Sequence, residues 1–273
     1  ILEFGDQYMR VYKDKGQVLS GGSAFEISTP YLEAELFDIK FAQSADVLYL
    51  CHPNHDVRKL SRTGHTSWTL ATVSFSGSPS LPISGADNRP SCVSFFEQRL
   101  VFANTNNNPQ TLWFSKSGDY ENFTTGTNAD DAMIYTIASN QVNAIQYLKA
   151  VRTLIVGTSG GEFTVSADGT DASITPTNVT IKRQSSFGSA GVDAIPAGNA
   201  VLFLQKARRK IRELQYNFDS DGYQAPDLTI LNERVTDTGI NEMSYQQEPG
   251  SNIWCVRNDG VLACLTYQRS ENV

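Results

Sequence analysis

The chain has 273 residues, 40% of them hydrophobic and 19% charged, with a formal net charge of −7. That composition supports a sizeable buried core and excludes a disordered tail. The acidic balance argues against tight binding to nucleic acid, which needs clustered Lys and Arg, and no apolar run is long enough for a membrane-spanning helix.

In chain order, Tyr8 to Val11 turns over Asp14-Lys15-Gly16 into Gln17 to Leu19, which predicts a β-hairpin. Leu32 to Phe41, after Pro30, fits a short helical turn and a strand approach equally well. Beyond it one spacing recurs. Phe41 precedes Leu48 by seven residues, as Val93 precedes Leu100, Tyr147 precedes Leu154 and Ile195 precedes Leu202. Gln246 precedes Ile253 by the same count, with a blurred apolar register. The anchors Leu48, Leu100, Leu154, Leu202 and Ile253 lie 52, 54, 48 and 51 residues apart. A repeat near this period, built of short strands, predicts an all-β fold, a β-propeller of four-stranded blades with about five blades visible.

Each unit reads alike. A dense apolar run comes second in it: Val47 to Leu50, Leu100 to Ala103, Leu154 to Val156, Val201 to Leu204 and Ile253 to Val256. Both sides of such a strand are apolar, as expected where sheets pack on each face. A more alternating strand follows, at Val57 to Leu60, Leu112 to Phe114, Glu162 to Val165, Ile211 to Leu214 and Val261 to Leu265. Small turns end in Gly64, Gly118, Gly169 and Gly222, where glycine is expected to supply a positive φ. Variable outer strands are expected at Trp68 to Phe75, Phe123 to Thr125, Ile174 to Ile181 and Leu228 to Val235.

The whole of 1–273 thus reads as one propeller domain. The fifth unit stops at Val273 where its outer strand should begin, and the hairpin in 1–20 stands 39 residues before Leu48, too close for a regular unit. Either these N-terminal strands close the last blade, or the chain is a fragment of a longer one. The absence of an initiator Met favours the fragment.

Candidate chemistry is sparse. One basic cluster, Lys206, Arg208, Arg209, Lys210 and Arg212, surrounds a hairpin turn. It reads as an exposed charged turn or as a contact for an acidic partner surface. Cys255 and Cys264 would face each other across a two-residue turn at Asp259-Gly260, which makes a cross-strand disulfide geometrically possible, with two reduced thiols the favoured state. His52-Pro53-Asn54-His55 has the spacing of a two-ligand metal clip, but no second pair appears, so a polar turn is expected and no metal is assigned. Asn217 to Gly222 matches the first half of a calcium loop, and Leu228 stands where a bidentate carboxylate is needed. Gly157 to Gly161 is glycine-rich without a following Lys or helix, which predicts a hairpin turn and not a phosphate loop. Ser61 to Trp68 approaches the Asp-box of sialidase-type blades, with Thr63 in place of the Asp. The adjacent Asp130 and Asp131 are poorly placed for joint acid and base work. No catalytic residue and no cofactor follows from these motifs.

Several segments together resemble a family of tail proteins from short-tailed bacteriophages and prophages. They are Leu2 to Arg10, Glu26 to Tyr31, Gln43 to Tyr49, His52-Pro53 through Leu60, Gly64 to Trp68, Arg99 to Ala103, Ser117 to Phe123, Gly160 to Phe163, Ala225 to Thr229 and Trp254 to Val256. More distant functional relatives are the nozzle or hub proteins of the distal tail tube. The resemblance implies a non-enzymatic virion part, made in the bacterial host cytoplasm. It would assemble as a homo-oligomeric ring, retain and conduct DNA without gripping it, and contact other tail proteins (adaptor, fibre or needle). The chain is shorter than a complete member of that family. The alternative reading is a carbohydrate-binding or glycan-cleaving propeller.

Overall fold

The computed structural model describes residues 1–77, 82–138, 143–169 and 172–268. The expected end of the last unit, at Val273, lies outside the described residues. Among the described residues strands dominate, and the helical elements are two 3-10 turns, Glu33–Asp38 and Glu233–Thr236. The architecture is a β-propeller. Six successive sheets follow the chain, where the spacing in the sequence suggests about five.

The first sheet holds β1 (Leu2–Gly5), β2 (Tyr8–Lys13) and β3 (Gly16–Gln17). After the two-residue strands β4 (Leu19–Ser20) and β5 (Ser23–Ala24), β6 (Glu26–Ser28) returns to pair with β2. Met9 therefore sits between Phe4 and Ile27. This blade is hidden in the sequence: its third strand is displaced by the β4–β5 excursion, which breaks the fifty-residue period. Asp14 and Lys15, both at positive φ, make the tight hairpin turn that links β2 to β3.

The other five sheets are antiparallel meanders. The second holds β7 (Lys40–Ser44), β8 (Val47–His52), β9 (His55–Gly64) and β10 (Ser67–Thr72); the third holds β11 (Cys92–Phe96), β12 (Arg99–Ala103), β13 (Thr111–Phe114) and β14 (Met133–Thr136). The fourth holds β15 (Ile145–Ala150), β16 (Leu154–Thr158), β17 (Gly161–Ala167) and β18 (Val179–Ser185); the fifth holds β19 (Ile195–Ala197), β20 (Ala200–Leu204), β21 (Ile211–Asn217) and β22 (Gly222–Gln224). The sixth has β23 (Ile240–Gln246), β24 (Asn252–Arg257) and β25 (Leu262–Thr266). Five hairpins open at the expected places, from β8–β9 to β24–β25.

The chain divides into two compact units, one of residues 1–137 with Thr175–Thr177, the other of 138–174 with 178–273. In the first unit β8 works on both faces. Leu48 and Leu50 pack with Met9, Val11, Tyr31 and Leu60. Tyr49 and Cys51, on the opposite face, pack with Leu100, Phe102, Trp113 and Phe123. In the second unit β20 does the same: Val201 and Phe203 join Tyr147 and Ile155, while Leu202 and Leu204 join Ile240, Ile253 and Cys255. Period-two alternation of a wholly apolar strand sends successive side chains into two different cores.

Several expectations need correction. Phe123 to Thr125 is not an outer strand; β14 is. Residues 115–131 form a loop, and its Phe123 drops into the core against Phe75 and Phe102. The buried Arg99 guanidinium holds that loop by donating to the carbonyls of Ser115 at 2.8 Å, Ala129 at 2.6 Å and Asp131 at 2.7 Å. Leu228 to Val235 is not the outer strand of the fifth sheet; β22 is. The Asp227 carboxylate accepts from the Thr229 N–H at 2.9 Å and hydroxyl at 2.6 Å, a local turn that leads the chain off the sheet. The outer strand of the fourth sheet runs at Val179–Ser185, overlapping the expected 174–181 over 179–181 and continuing four residues further. Positive φ is found at Gly118 and Gly169, but in the β21–β22 turn it falls on Asp221 and not on Gly222, and Gly64 continues β9 in extended form.

Leu100, Leu154, Leu202 and Ile253 are each 0% exposed, as their shared place in the repeat predicts. Replacing any one with Ala is expected to lower unfolding free energy by about 2–5 kcal/mol through lost transfer energy and a residual cavity. Leu231, which is 98% exposed, should tolerate the same change within about 0.5 kcal/mol. Denaturant titration checks both; equal losses at Leu202 and Leu231 would mean that the burial pattern is wrong.

Candidate functional site

The five basic residues of the predicted partner contact surround the β20–β21 turn. Arg208, at positive φ, donates to Asn241 Oδ1 at 3.1 Å. Arg209 pairs with Asp237, and Lys210 Nζ bridges Asp227 at 2.8 Å and Glu233 at 3.1 Å. Arg212 lies over the Phe187 ring at 3.5 Å and donates to Gln205 and to the Ala225 carbonyl. Lys206 is exposed. Burial opposes ionisation of Asp227, but the hydrogen bonds from Lys210 and Thr229 outweigh it and keep its carboxyl below the usual range. Arg209 and Lys210 are therefore matched by carboxylates within the chain, while Lys206 and Arg208 stay exposed.

A second place with chemical features is a cleft of about 340 Å³ over the first and second sheets. Leu2, Val11, Leu48 and Leu60 form an apolar floor; Tyr12, Lys13, Asp46, Arg62, His65 and Trp68 form the rim. The segment Ser61 to Trp68 supplies half of that rim as the β9–β10 hairpin. The Trp68 indole N–H donates to the His65 carbonyl at 3.0 Å, and Thr63 meets Ser67 at 2.7 Å between hydroxyls. Lys13 Nζ stands 3.1 Å from one ring nitrogen of His65 and Arg62 3.0 Å from the other. A neutral imidazole has one acceptor nitrogen, so it satisfies one of these two cations at a time. Arg62 also pairs with Asp46 at 2.9 Å.

The third place is the His52–His55 turn. The structure adds a residue that the spacing of the sequence does not connect with it. Glu35, in the 3-10 turn Glu33–Asp38, accepts from the Leu32 N–H at 3.0 Å and from Asn54 Nδ2 at 3.0 Å, and it lies 2.7 Å from His55 Nε2. These partners, His55 foremost, hold its carboxyl down at about 2. One donor atom each from Glu35, His52 and His55 falls within 4.8 Å of the others. His52 is buried, and burial pulls its imidazole below the ordinary value despite the nearby Glu35 charge. Its Nδ1 accepts from the Asn54 N–H at 3.0 Å, while its Nε2 is buried and meets no hydrogen-bond partner. Tyr31 packs edge-on against His55, with ring centroids 5.1 Å apart.

Other singled-out motifs resolve into turns. Asn217 Oδ1 accepts from the Ser220 N–H at 3.1 Å and closes the β21–β22 turn. Thr158 Oγ1 donates to the Gly161 carbonyl at 2.7 Å across the β16–β17 turn. Asp130 and Asp131 both approach Lys116 Nζ, at 2.9 and 3.6 Å. Cys255 and Cys264 are not opposite each other. Cys255 faces Ala263 and Trp254 faces Cys264, because the turn spans three residues, Asn258 to Gly260, where two are expected. None of the four cysteines is bridged, and burial pushes the Cys255 thiol up to about 11.

Glu162, on β17, reads in the sequence only as a strand residue. It is fully buried, accepts from the Ser189 hydroxyl at 2.8 Å and from the Ser185 hydroxyl, and burial raises its carboxyl above the usual range against the pull of both serines. No pattern of neighbouring residue types marks such a group; only the fold buries it.

No family model matches this chain, and no curated protein matches it. It is similar to several solved structures. The β-propeller domain of Cps50 (Swd1) from Myceliophteria thermophila aligns at TM-score 0.54 and 8% identity, covering 96% of this chain and 78% of that one. BBS1N, solved in complex with ARL6DN, aligns at TM-score 0.52 and 9% identity, covering 98% and 74%. YCF48 bound to D1 peptide aligns at TM-score 0.51 and 13% identity, covering 97% and 74%. At these identities the likeness concerns the fold alone.

Glu162 yields a pH prediction. Its folded value is raised, so the folded state holds a proton more tightly than the unfolded state. The stabilisation that this gives is complete below about pH 4.3, the ordinary glutamate value, and is lost as pH rises through the folded value. Glu162→Gln cannot ionise. Its stability relative to the parent should therefore improve between pH 4 and pH 8, as read by denaturant unfolding across that range. A constant difference would show that the folded value is not raised.

Proposed function

We propose that this chain is a structural part of the tail of a short-tailed bacteriophage or prophage, in the nozzle or hub, and not an enzyme. The observation that carries the reading is the resemblance spread over the whole chain, from Leu2 to Val256. Its segments supply strands and tight turns in both compact units, as a family resemblance between scaffolds would: Arg99 to Ala103 is β12, Gly160 to Phe163 opens β17, and Ala225 to Thr229 is the turn that leaves the fifth sheet. In this reading the full-length protein forms a ring of copies that retains DNA until infection, then lets it pass, and contacts an adaptor, fibre or needle.

Exposed apolar side chains support an assembly role. Phe37, Phe218, Ile230 and Leu231 are 82%, 87%, 65% and 98% exposed. Such side chains gain from burial against another protein, and Leu231 adjoins the 3-10 turn that carries Glu233. The second reading, a carbohydrate-binding propeller, is favoured by Trp68 and Tyr12 at the rim of the first-unit cleft, since rings beside polar groups suit a sugar face.

Mass spectrometry of purified particles from the host that encodes the chain decides between them. The protein should be present in fixed ratio to other tail components. Its absence from particles, together with binding of a defined glycan that is lost in Trp68→Ala, would replace the tail reading with the second one.

A conduit must let DNA slide, and each neutralised phosphate adds affinity. With 29 Asp and Glu against 22 Lys and Arg, and with Arg209, Lys210 and Arg212 already engaged, no duplex binding is expected in about 150 mM salt, where non-specific binders typically reach roughly 10⁻⁴–10⁻⁶ M. Fluorescence anisotropy with a short duplex measures this. Micromolar binding that weakens on changing Lys206 and Arg208 to Ala would identify the basic turn as a nucleic-acid contact.

A further inference from the structure

We infer that Glu35, His52 and His55 form a binding site for a divalent transition-metal ion, zinc foremost, which clips the 3-10 turn Glu33–Asp38 to the β8–β9 hairpin. Two imidazoles and one carboxylate are a donor set that suits zinc, with a water in the fourth position. The three donor atoms lie within 4.8 Å of one another, with Glu35 and His55 2.7 Å apart, so sharing one ion requires the wider separations to close and the Glu35–His55 pair to open. Donors at about 2.0–2.2 Å from zinc lie roughly 3.2–3.6 Å apart in a tetrahedron.

A second observation, independent of the clustering, is the orphaned nitrogen. His52 is 1% exposed, and its Nε2 has no hydrogen-bond partner. Buried polar atoms in folded proteins almost always have one. The surrounding groups are arranged as an outer layer of a metal site would be. Asn54 Nδ2 fixes the second carboxylate oxygen of Glu35 at 3.0 Å, and the Leu32 N–H fixes the first. Tyr31, fully buried, packs against both histidine rings with centroids 5.1 and 6.1 Å away. Partly exposed His55 and Glu35 leave a path for the ion to enter.

The proton balance is specific. In the metal-free chain the His52 lone pair on Nδ1 is taken by the Asn54 N–H, so the ring proton sits on Nε2. An ion bound at Nδ1 displaces that N–H. An ion bound at Nε2 sends the ring proton to Nδ1, which then can no longer accept from Asn54. Either way the Asn54 amide loses its bond to His52 on loading. When His55 Nε2 becomes a ligand, the neutral ring carries its proton on Nδ1, so the contact between His55 Nε2 and Glu35 is exchanged for bonds to the ion.

The test uses the full chain after chelation and dialysis. Titration with zinc chloride, read by metal analysis and by thermal unfolding, should give one equivalent per chain and a rise in melting temperature. Cobalt(II) should give the visible absorption of a four-coordinate site, and the Asn54 amide resonance should move. Glu35→Gln and His55→Asn should weaken binding at least tenfold while metal-free melting stays within a few degrees of the parent. His55→Cys, which supplies another zinc ligand, should restore binding. The substitutions are placed at Glu35 and His55 because His52 is a large buried side chain whose loss the core would have to refit. Uptake below a tenth of an equivalent, or binding unchanged in both Glu35→Gln and His55→Asn, overturns the site. So does a crystal structure grown with zinc that shows only a water on His52 Nε2.

Discussion

The structure depends on second strands that are apolar on both sides. β8 and β20 each feed two cores at once, one with odd-numbered and one with even-numbered residues. No sheet of this size has enough one-sided core to stand alone, since a lone meander leaves half its apolar surface in water. Stacking sheet against sheet removes that surface at roughly 25 cal/mol per Å². The same constraint explains why the hairpin turns can vary freely: register is set by the apolar run, and a slip of one residue would exchange the two cores.

Two buried residues of charged type anchor loops to the sheets. The buried Arg99 guanidinium collects main-chain carbonyls from the 115–131 loop. A long loop carries many acceptors that water would otherwise satisfy. One buried guanidinium with five donors organises them without a strand. Glu162 does the converse, a buried acceptor that gathers the Ser185 and Ser189 hydroxyls. Both are charged residue types placed where composition alone would put none.

The repeat was legible in the sequence because burial on two faces writes an unbroken apolar run, and such runs recur at nearly constant spacing from Leu48 to Ile253. The first blade escaped since its third strand, β6, is separated from β2 by a detour with no fixed length. Outer strands were the least legible. They are short and partly exposed, and the true strands at Met133 (Met-Ile-Tyr-Thr) and Gly222 (Gly-Tyr-Gln) carry no Thr- and Val-rich signal to set them above the stretches at Phe123 and Leu228. The His52–His55 pair was visible by spacing, but Glu35 was not, because its approach depends on how a non-repetitive 3-10 turn folds over a distant hairpin. The basic cluster was visible as charge; its acidic partners Asp227, Glu233 and Asp237 follow it in the chain with no fixed offset, so the neutralisation was not.

The three-residue turn at Asn258 to Gly260 sets Cys255 and Cys264 on neighbouring rungs of the sixth sheet, one inside and one outside. Of the four thiols, Cys264 alone is exposed. A maleimide dye or a gold cluster would therefore find one address on the folded surface. The three inner thiols, Cys51, Cys92 and Cys255, would become accessible only as the packing opens: Cys51 when the second and third sheets part, and Cys255 when the fifth and sixth do. The sulfur atoms thus turn the molecule into its own strain gauge, with an external label to locate it and internal ones to time the loosening of each compact unit.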